Sequence, residues 1–159
     1  MKQATIHTDL GNMTLRFFPD LAPKHVENFI DLAEKGFYDH KTFHRIIKGF
    51  MVQGGCPRGD GTGDGPRRLK AEFNDTPHVE GTLSMARSQD PDSASCQFFI
   101  CLARAEWLDG QYTAFGELTD DASRETLRKI GEVKTGGAER STPVKPVKID
   151  KVTVEEAPD

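Results

Sequence analysis

An antiparallel β-barrel or β-sandwich capped by two helices is the fold that this 159-residue sequence predicts. Three observations lead there. About eight short segments carry apolar residues in strand-like patterns, two carry them at helical spacing, and the connections are long and glycine-punctuated. A chain of this size buries roughly 68–70% of its unfolded surface. With 36% apolar residues and 15 glycines, it is expected to fold without disulfides or a structural metal.

The first element is a hairpin. Ala4 and Ile6 alternate with Thr5 and His7, Gly11-Asn12 supplies a turn, and Met13, Leu15 and Phe17 alternate with polar partners. A helix follows, with Pro23 near its first turn, Val26, Phe29, Ile30 and Ala33 on one face, and Gly36 as its stop. Residues 37–73 are glycine-rich, with short strands at 43–47 and 50–53 around Lys48-Gly49. Two more strands fall at 82–86 and 96–102, joined by the polar stretch 87–95. In the second, Gln97, Phe99 and Cys101 share one face, while Phe98, Ile100 and Leu102 share the other, wholly apolar face, which turns inward. A strand at 112–117 precedes a helix at 120–133, anchored by Leu127 and Ile130 and capped by Asp120 or Asp121. After a loop at 135–146 comes the last strand. Its apolar positions change phase from Val147 and Ile149 to Val152 and Val154, which predicts a bulge near Asp150.

Charge narrows the function. The 21 Lys+Arg against 25 Asp+Glu give −4, with a pI near 5.7, so neither nucleic acid nor an anionic membrane is an expected partner. No apolar run approaches the roughly 20 residues of a membrane-spanning helix, and the polar start argues against a signal peptide. The mature chain is therefore expected to begin at Met1 and to reside in the cytoplasm. Cys56, Cys96 and Cys101 cannot all pair and lack Cys-x-x-Cys spacing, so they read as free thiols.

Several motifs fail on chemistry. The tract from Gly59 to Gly65 lacks the Gly-Lys-Ser/Thr that grips phosphate and magnesium. As a calcium loop starting at Asp60, it would place Ala71 where a bidentate Glu is required. It reads instead as a surface loop. His40 and His44 are four apart but sit in a strand-like, glycine-bounded context without further ligands, so neither a metal nor a cofactor is expected. His7, His25 and His78 are scattered, as surface or hydrogen-bonded structural histidines are. There is no Gly-x-Ser-x-Gly elbow, and Cys56 has no orienting partner in sequence. What remains is Arg45, framed by apolar runs, with Met51 and Gln53 on one face of the next strand.

The blocks Phe43-His44-Arg45-Ile46-Ile47, Gly49-Phe50-Met51-Val52-Gln53-Gly54-Gly55, Gly61-Thr62-Gly63, Gly81-Thr82-Leu83-Ser84-Met85-Ala86-Arg87, Gln97-Phe98-Phe99-Ile100-Cys101, Glu106-Trp107-Leu108-Asp109-Gly110 and Phe115-Gly116 occur in an order that resembles the cyclophilins. The resemblance spans nearly the whole chain. It implies that residues 1–159 form one domain, mainly β: an eight-stranded antiparallel β-barrel closed by two α-helices. It also implies a proline-binding groove and peptidyl-prolyl cis-trans isomerase activity.

By the same resemblance, Arg45 and Gln53 are the catalytic pair, with Arg45 hydrogen-bonding the prolyl nitrogen and Gln53 orienting the guanidinium. Phe50, Met51, Phe99 and Leu108 would line the proline pocket, with Trp107 on its rim. Ala86 and the backbone of Arg87 would align the residues before proline, with Gln97 beside them. Tyr112 stands where many members have His, and Arg87 where many have Asn, so an altered substrate or inhibitor preference is expected. The Arg87 side chain would matter less than its backbone. The implied partners are proline-containing peptides, folding proteins and cyclosporin-like cyclic peptides, acted on by a monomer. Two other readings compete: a proline-peptide binding module or chaperone-like scaffold with little catalysis, and a metal-binding barrel using His40 and His44.

Overall fold

The computed structural model describes residues 1–137 and 139–158. Alternation of buried and exposed residues pairs β1 (Lys2–Thr8) with β2 (Gly11–Phe17), placing Ala4, Ile6, Met13 and Leu15 on the inner face. The turn lies two residues earlier than the sequence suggests, at Asp9-Leu10. There the Thr8 hydroxyl accepts from Leu10 N (3.1 Å) and donates to Gly11 O (2.7 Å). Gly11 is needed for a different reason: at φ +134°, a Cβ there would lie 2.7 Å from Thr126 Oγ1 of the second helix.

Helix α1 (Pro23–Glu34) buries Val26, Phe29, Leu32 and Ala33, while Ile30 is only half-buried. It ends in a Schellman turn at Gly36, φ +74°, with Phe37 N donating to Leu32 O and Gly36 N to Ala33 O. Its start has no local side-chain cap. Instead the distant Glu72 carboxylate accepts from Lys24 N (3.2 Å), His25 N (2.8 Å) and His25 Nδ1 (2.6 Å), putting negative charge where the helix dipole favours it.

The remaining strands are β3 (Arg45–Ile47), β4 (Met51–Gly54), β5 (Thr82–Met85), β6 (Phe98–Cys101), β7 (Ala114–Leu118) and, after helix α2 (Asp121–Gly131), β8 (Thr135–Gly136), β9 (Thr142–Pro143) and β10 (Ile149–Glu156). Gly49, φ +73°, turns β3 into β4. Asp120 caps α2 by accepting from Ser123 N at 2.8 Å, and Leu127 and Ile130 are buried. The region expected to be a plain loop after α2 contains the small β8–β9 ribbon; Ala138 within it lies outside the described residues. The bulge is where the phase change puts it: His7 faces Lys151 and Thr8 faces Ile149, leaving Asp150 unpaired.

Eight strands form one antiparallel sheet in the order β10-β1-β2-β7-β5-β6-β4-β3. Its two ends meet. Thr42 bridges Lys148, Phe43 N donates to Val147 O (3.0 Å), and Ile149 N donates to Lys41 O (2.7 Å). The sheet thus curls round a core centred on Phe29, whose ring lies 5.1–5.7 Å from those of Phe17, Tyr38, Phe98 and Phe115. No helix among the described residues is long and apolar enough to cross a membrane.

This packing has two testable consequences. Phe29→Ala removes the hub of the aromatic core and should cost about 3–5 kcal/mol in denaturant unfolding; a cost below 1 kcal/mol, on the order of a surface change, would contradict the packing. The second concerns pH. Burial is the main reason that His25, His44 and His78 have lowered pKa values, so the unfolded chain binds protons more readily than the folded one. Stability should fall as pH drops below about 6.5. Glu72 adds a later loss: burial opposes its ionisation, but hydrogen bonds from His25 and Lys24 outweigh it and lower its pKa. Its contribution is present above the unfolded carboxyl value and disappears as pH falls through the folded one. A denaturation midpoint unchanged between pH 7 and pH 5 would contradict the histidine burial.

Candidate active site

Strand register assembles the site. Arg45 on β3 stands opposite Gln53 on β4, Gln53 opposite Phe99 on β6, and Phe99 opposite Ser84 on β5. Opposed residues share a face, so these four form one row across the outside of the sheet. The adjoining row, Ile46, Val52, Ile100 and Leu83, is fully buried inside. The face separation expected for residues 97–102 is therefore present.

A directed relay of hydrogen bonds fixes the polar end of the outer row. Gln97 Nε2 donates to Gly61 O (3.0 Å) and Gly63 O (2.9 Å), which leaves its Oε1 to accept from Gln53 Nε2 at 3.0 Å. Gln53 Oε1 then accepts from Arg45 Nη1 at 3.3 Å. Each amide is oriented by its neighbour. The glycine loop is itself anchored: Gly63 N donates to Cys56 Sγ (3.2 Å), and a Cβ on Gly63 would lie 2.7 Å from Pro57. Among the described residues Arg45 has no ion-pair partner, so its charge is directed outward from the row rather than neutralised.

Beside the guanidinium lies an apolar floor formed by Met51, Phe99, Cys101, Ala105 and Leu108, with Ile47, Phe50, Ala86 and Tyr112 packed round it. Phe50 and the exposed Trp107 face each other at 5.6 Å, and Phe99 meets Tyr112 edge-on at 5.6 Å. The resulting open cleft is about 390 Å³. It brings together Arg45, Gln53, Phe50, Met51 and Phe99 with Ala86, Arg87, Trp107, Leu108 and Tyr112, which is every residue singled out from the sequence except Gln97. Gln97 lines an adjoining polar recess of about 320 Å³ that shares Gln53, Ala86 and Arg87 with the cleft.

The sequence did not show what supports this floor. His78 stacks on Phe99 (6.2 Å, 20° between planes), and its ring nitrogens contact Asp109 Oδ1 and Ser84 Oγ, each at 3.0 Å. A hydrogen bond from Arg104 is the main cause holding the Asp109 carboxyl well below the usual carboxylate range. The Thr82-to-Ser84 strand pattern and the spacing of His78 gave no cue to this contact, since it depends on chain folding between residues 78 and 109.

Arg87 has side-chain partners of its own within the chain. Its side chain is engaged: Nε and Nη2 donate to Gln111 O (3.2 and 2.7 Å), Nη1 donates to Ser88 O (2.8 Å), and the guanidinium carbon lies 4.4 Å from the centre of the Tyr112 ring. The two positions that depart from the cyclophilin pattern are thus in contact.

The cysteines offer no nucleophile to the cleft. All three are buried, and burial pushes the Cys96 and Cys101 thiols up to about 12. Burial acts the same way on Cys56, but backbone N–H groups of its loop outweigh it and lower that thiol's pKa. No group of three or more His, Cys, Asp or Glu among the described residues is arranged to hold a metal. What the cleft offers chemically is an apolar seat for a small rigid group beside the fixed Arg45 guanidinium.

Comparison with known proteins agrees with this geometry. Residues 3–154 match the family model for the cyclophilin type peptidyl-prolyl cis-trans isomerase. The chain is 47% identical over 130 residues to a peptidyl-prolyl cis-trans isomerase of Synechococcus elongatus, covering 82% of this chain and 89% of that one. It is 44% identical over 135 residues to one of Helicobacter pylori, covering 84% and 81%. The crystal structure of a Cryptosporidium parvum cyclophilin type isomerase in the presence of the dipeptide Ala-Pro superposes with a TM-score of 0.90 at 30% identity, covering 98% of this chain and 99% of that one.

The relay makes a structural prediction. Gln97→Leu removes the amide donor to Gly61 O and Gly63 O and leaves the Gln53 amide without its partner, and should cost about 1–3 kcal/mol. Hydrogen exchange should accelerate across residues 56–65 while β1 and β2 keep their protection. Unchanged exchange in that loop would show that Gln97 does not hold it.

Proposed function

The chain belongs to the cyclophilin type peptidyl-prolyl cis-trans isomerase family, and from that premise we propose how its residues carry out the reaction. It is a peptidyl-prolyl cis-trans isomerase. The bond it acts on rotates over a barrier of roughly 18–20 kcal/mol because the nitrogen lone pair is shared with the carbonyl. In X-Pro the two isomers are close in energy but exchange in tens to hundreds of seconds. Catalysis requires no bond cleavage, only preferential binding of the twisted amide.

In the proposed mechanism the proline ring sits on Met51, Phe99 and Leu108, between Phe50 and Tyr112. These apolar walls hold the ring while the preceding carbonyl turns about it. As the amide twists, its nitrogen becomes pyramidal and regains a lone pair, to which Arg45 donates a hydrogen bond. The bond exists only in the twisted form, so it lowers the barrier rather than merely tightening binding. Each tenfold of rate requires about 1.4 kcal/mol of this differential stabilisation. Gln53 and Gln97 are positioning residues that keep the donor fixed, and Ala86 and the neighbouring strand edge align the residues before proline. The observation carrying this reading is the unneutralised Arg45 guanidinium, tethered to Gln53 at 3.3 Å beside an apolar floor.

The proposed substrates are proline-containing peptides and folding proteins; the presence of the Ala-Pro dipeptide with the similar Cryptosporidium parvum isomerase supports the first class. Trp107, exposed at the rim, makes cyclosporin-like cyclic peptides further proposed ligands. The free thiols support placement in the reducing cytoplasm. We read residues 1–159 as one isomerase domain acting as a monomer.

Arg45→Ala should lower kcat/KM about 10²–10³-fold, the loss typical of removing one donor to a developing charge, with most of it in kcat. The fold should survive, because among the described residues the guanidinium has no ion pair to lose and makes one hydrogen bond, to Gln53. NMR exchange on an Ala-Pro peptide measures this. A folded mutant with wild-type turnover would overturn the mechanism, and wild-type protein that binds the peptide without accelerating exchange would favour a binding module.

A further inference from the structure

Arg87 and Tyr112 occupy the boundary between the apolar cleft and the polar recess. Arg87 is half-buried and held on three sides: two N–H groups on Gln111 O, one on Ser88 O, and its guanidinium carbon over the Tyr112 ring, 4.4 Å from the centre. A guanidinium has five N–H donors, so two remain after these three bonds. The acceptors of these three bonds are two backbone carbonyls and the remaining contact is an aromatic face, none of which carries a formal charge. The positive charge of Arg87 is therefore fixed in place and not neutralised.

Around it, guanidiniums outnumber carboxylates. The apolar cleft is lined by two guanidiniums, Arg45 and Arg87, and by no carboxylate among the described residues. The polar recess adds Arg68 and one carboxylate, Asp64; Arg68 also reaches Asp90 at 3.6 Å across an exposed ion pair. Asp60, on the same loop, is turned to its own Thr62. A locally positive groove thus lies on a chain of net charge −4.

We propose that Arg87, braced by Tyr112, is a specificity-determining residue that selects substrates with an acidic side chain at the two positions before the proline. The proposal rests on the isomerase reading of the groove, which places those positions beside Ala86 and the recess. A carboxylate there meets the two remaining donors of a preoriented fork, whereas a lysine meets a fixed like charge. Tyr112 contributes by stacking: it holds the guanidinium plane so that the charge does not swing into solvent.

The test measures kcat/KM for three proline peptides that differ only in carrying Glu, Ala or Lys at those positions. Glu should exceed Lys by about fivefold at low salt, the size expected for one unit charge facing another at close range in a hydrated site. The ratio should shrink below about twofold at 0.5 M salt, since the groove is open to solvent. In Arg87→Gln, which removes the charge and keeps an amide donor, the Glu-to-Lys ratio should approach one whatever the absolute activity. If wild-type protein turns over the Ala peptide but treats Glu and Lys alike, this proposal is overturned and the isomerase reading stands. A ratio that persists in folded Arg87→Gln also overturns it, because the preference then comes from another charge. If the Ala peptide itself is not turned over, it is the isomerase reading that fails.

Discussion

The whole site depends on the register in which β3, β4, β6 and β5 pair. Side chains alternate faces along a strand, so a one-residue slip would send Arg45, Gln53 and Phe99 into the core and bring Ile46, Val52 and Ile100 out to solvent. The inner row is apolar and fully buried, which makes that slip very unfavourable. The hydrophobic core thus specifies the position of a cation it never touches. The polar relay then refines what register sets coarsely, because each carboxamide can satisfy its neighbour in only one orientation.

How much of this the sequence reveals follows from the range of the interactions. Period-2 alternation is local, so the opposite faces of Phe98 and Phe99 and the bulge at Asp150 could be read directly. Cap chemistry at α2 is local too, with Asp120 three residues from its donor. The cap of α1 is not: Glu72 is 47 residues from His25, and nothing near Pro23 announces it. Gly11 was legible as a glycine position but not for its reason, since Thr126 arrives only through tertiary packing. At the site, residue identities came from the resemblance and their opposition across strands came from the structure. The contacts of the Arg87 side chain were not legible, because its partners, the carbonyls of Ser88 and Gln111, are backbone groups that leave no trace in residue type.

The abundance of phenylalanine and glycine now has two separate explanations. Phe17, Phe29, Phe98 and Phe115 build an aromatic centre inside the sheet, while Phe50 and Phe99 belong to the second, outward cluster. Two apolar clusters back to back across one sheet let the outer one stay partly open without weakening the inner one. The glycines serve close approach where backbone meets backbone or ring. At Gly54 a Cβ would lie 2.8 Å from Thr42 O, and at Gly55, φ +89°, 2.8 Å from Tyr38. Both follow Gln53 directly, so the chain carrying the relay is pressed against the seam where the sheet closes.

The chemistry assigned to the row has a consequence for how pH acts on this protein. Twisting an amide transfers no proton, so the reaction assigned to the row needs no acid or base. The groups that do respond to mild acid, His25, His44 and His78, are packed into the scaffold. Of these, His78 stacks on Phe99, and His44 lies beside Gly61 of the loop that holds Gln97, its Nε2 3.4 Å from where a Cβ on that glycine would stand. Acid therefore reaches the site through the scaffold, by loosening the floor under the proline ring, and not by discharging the donor above it. Because the donor and the titrating groups are different residues, the pH response of stability and that of the chemical step have separate physical origins.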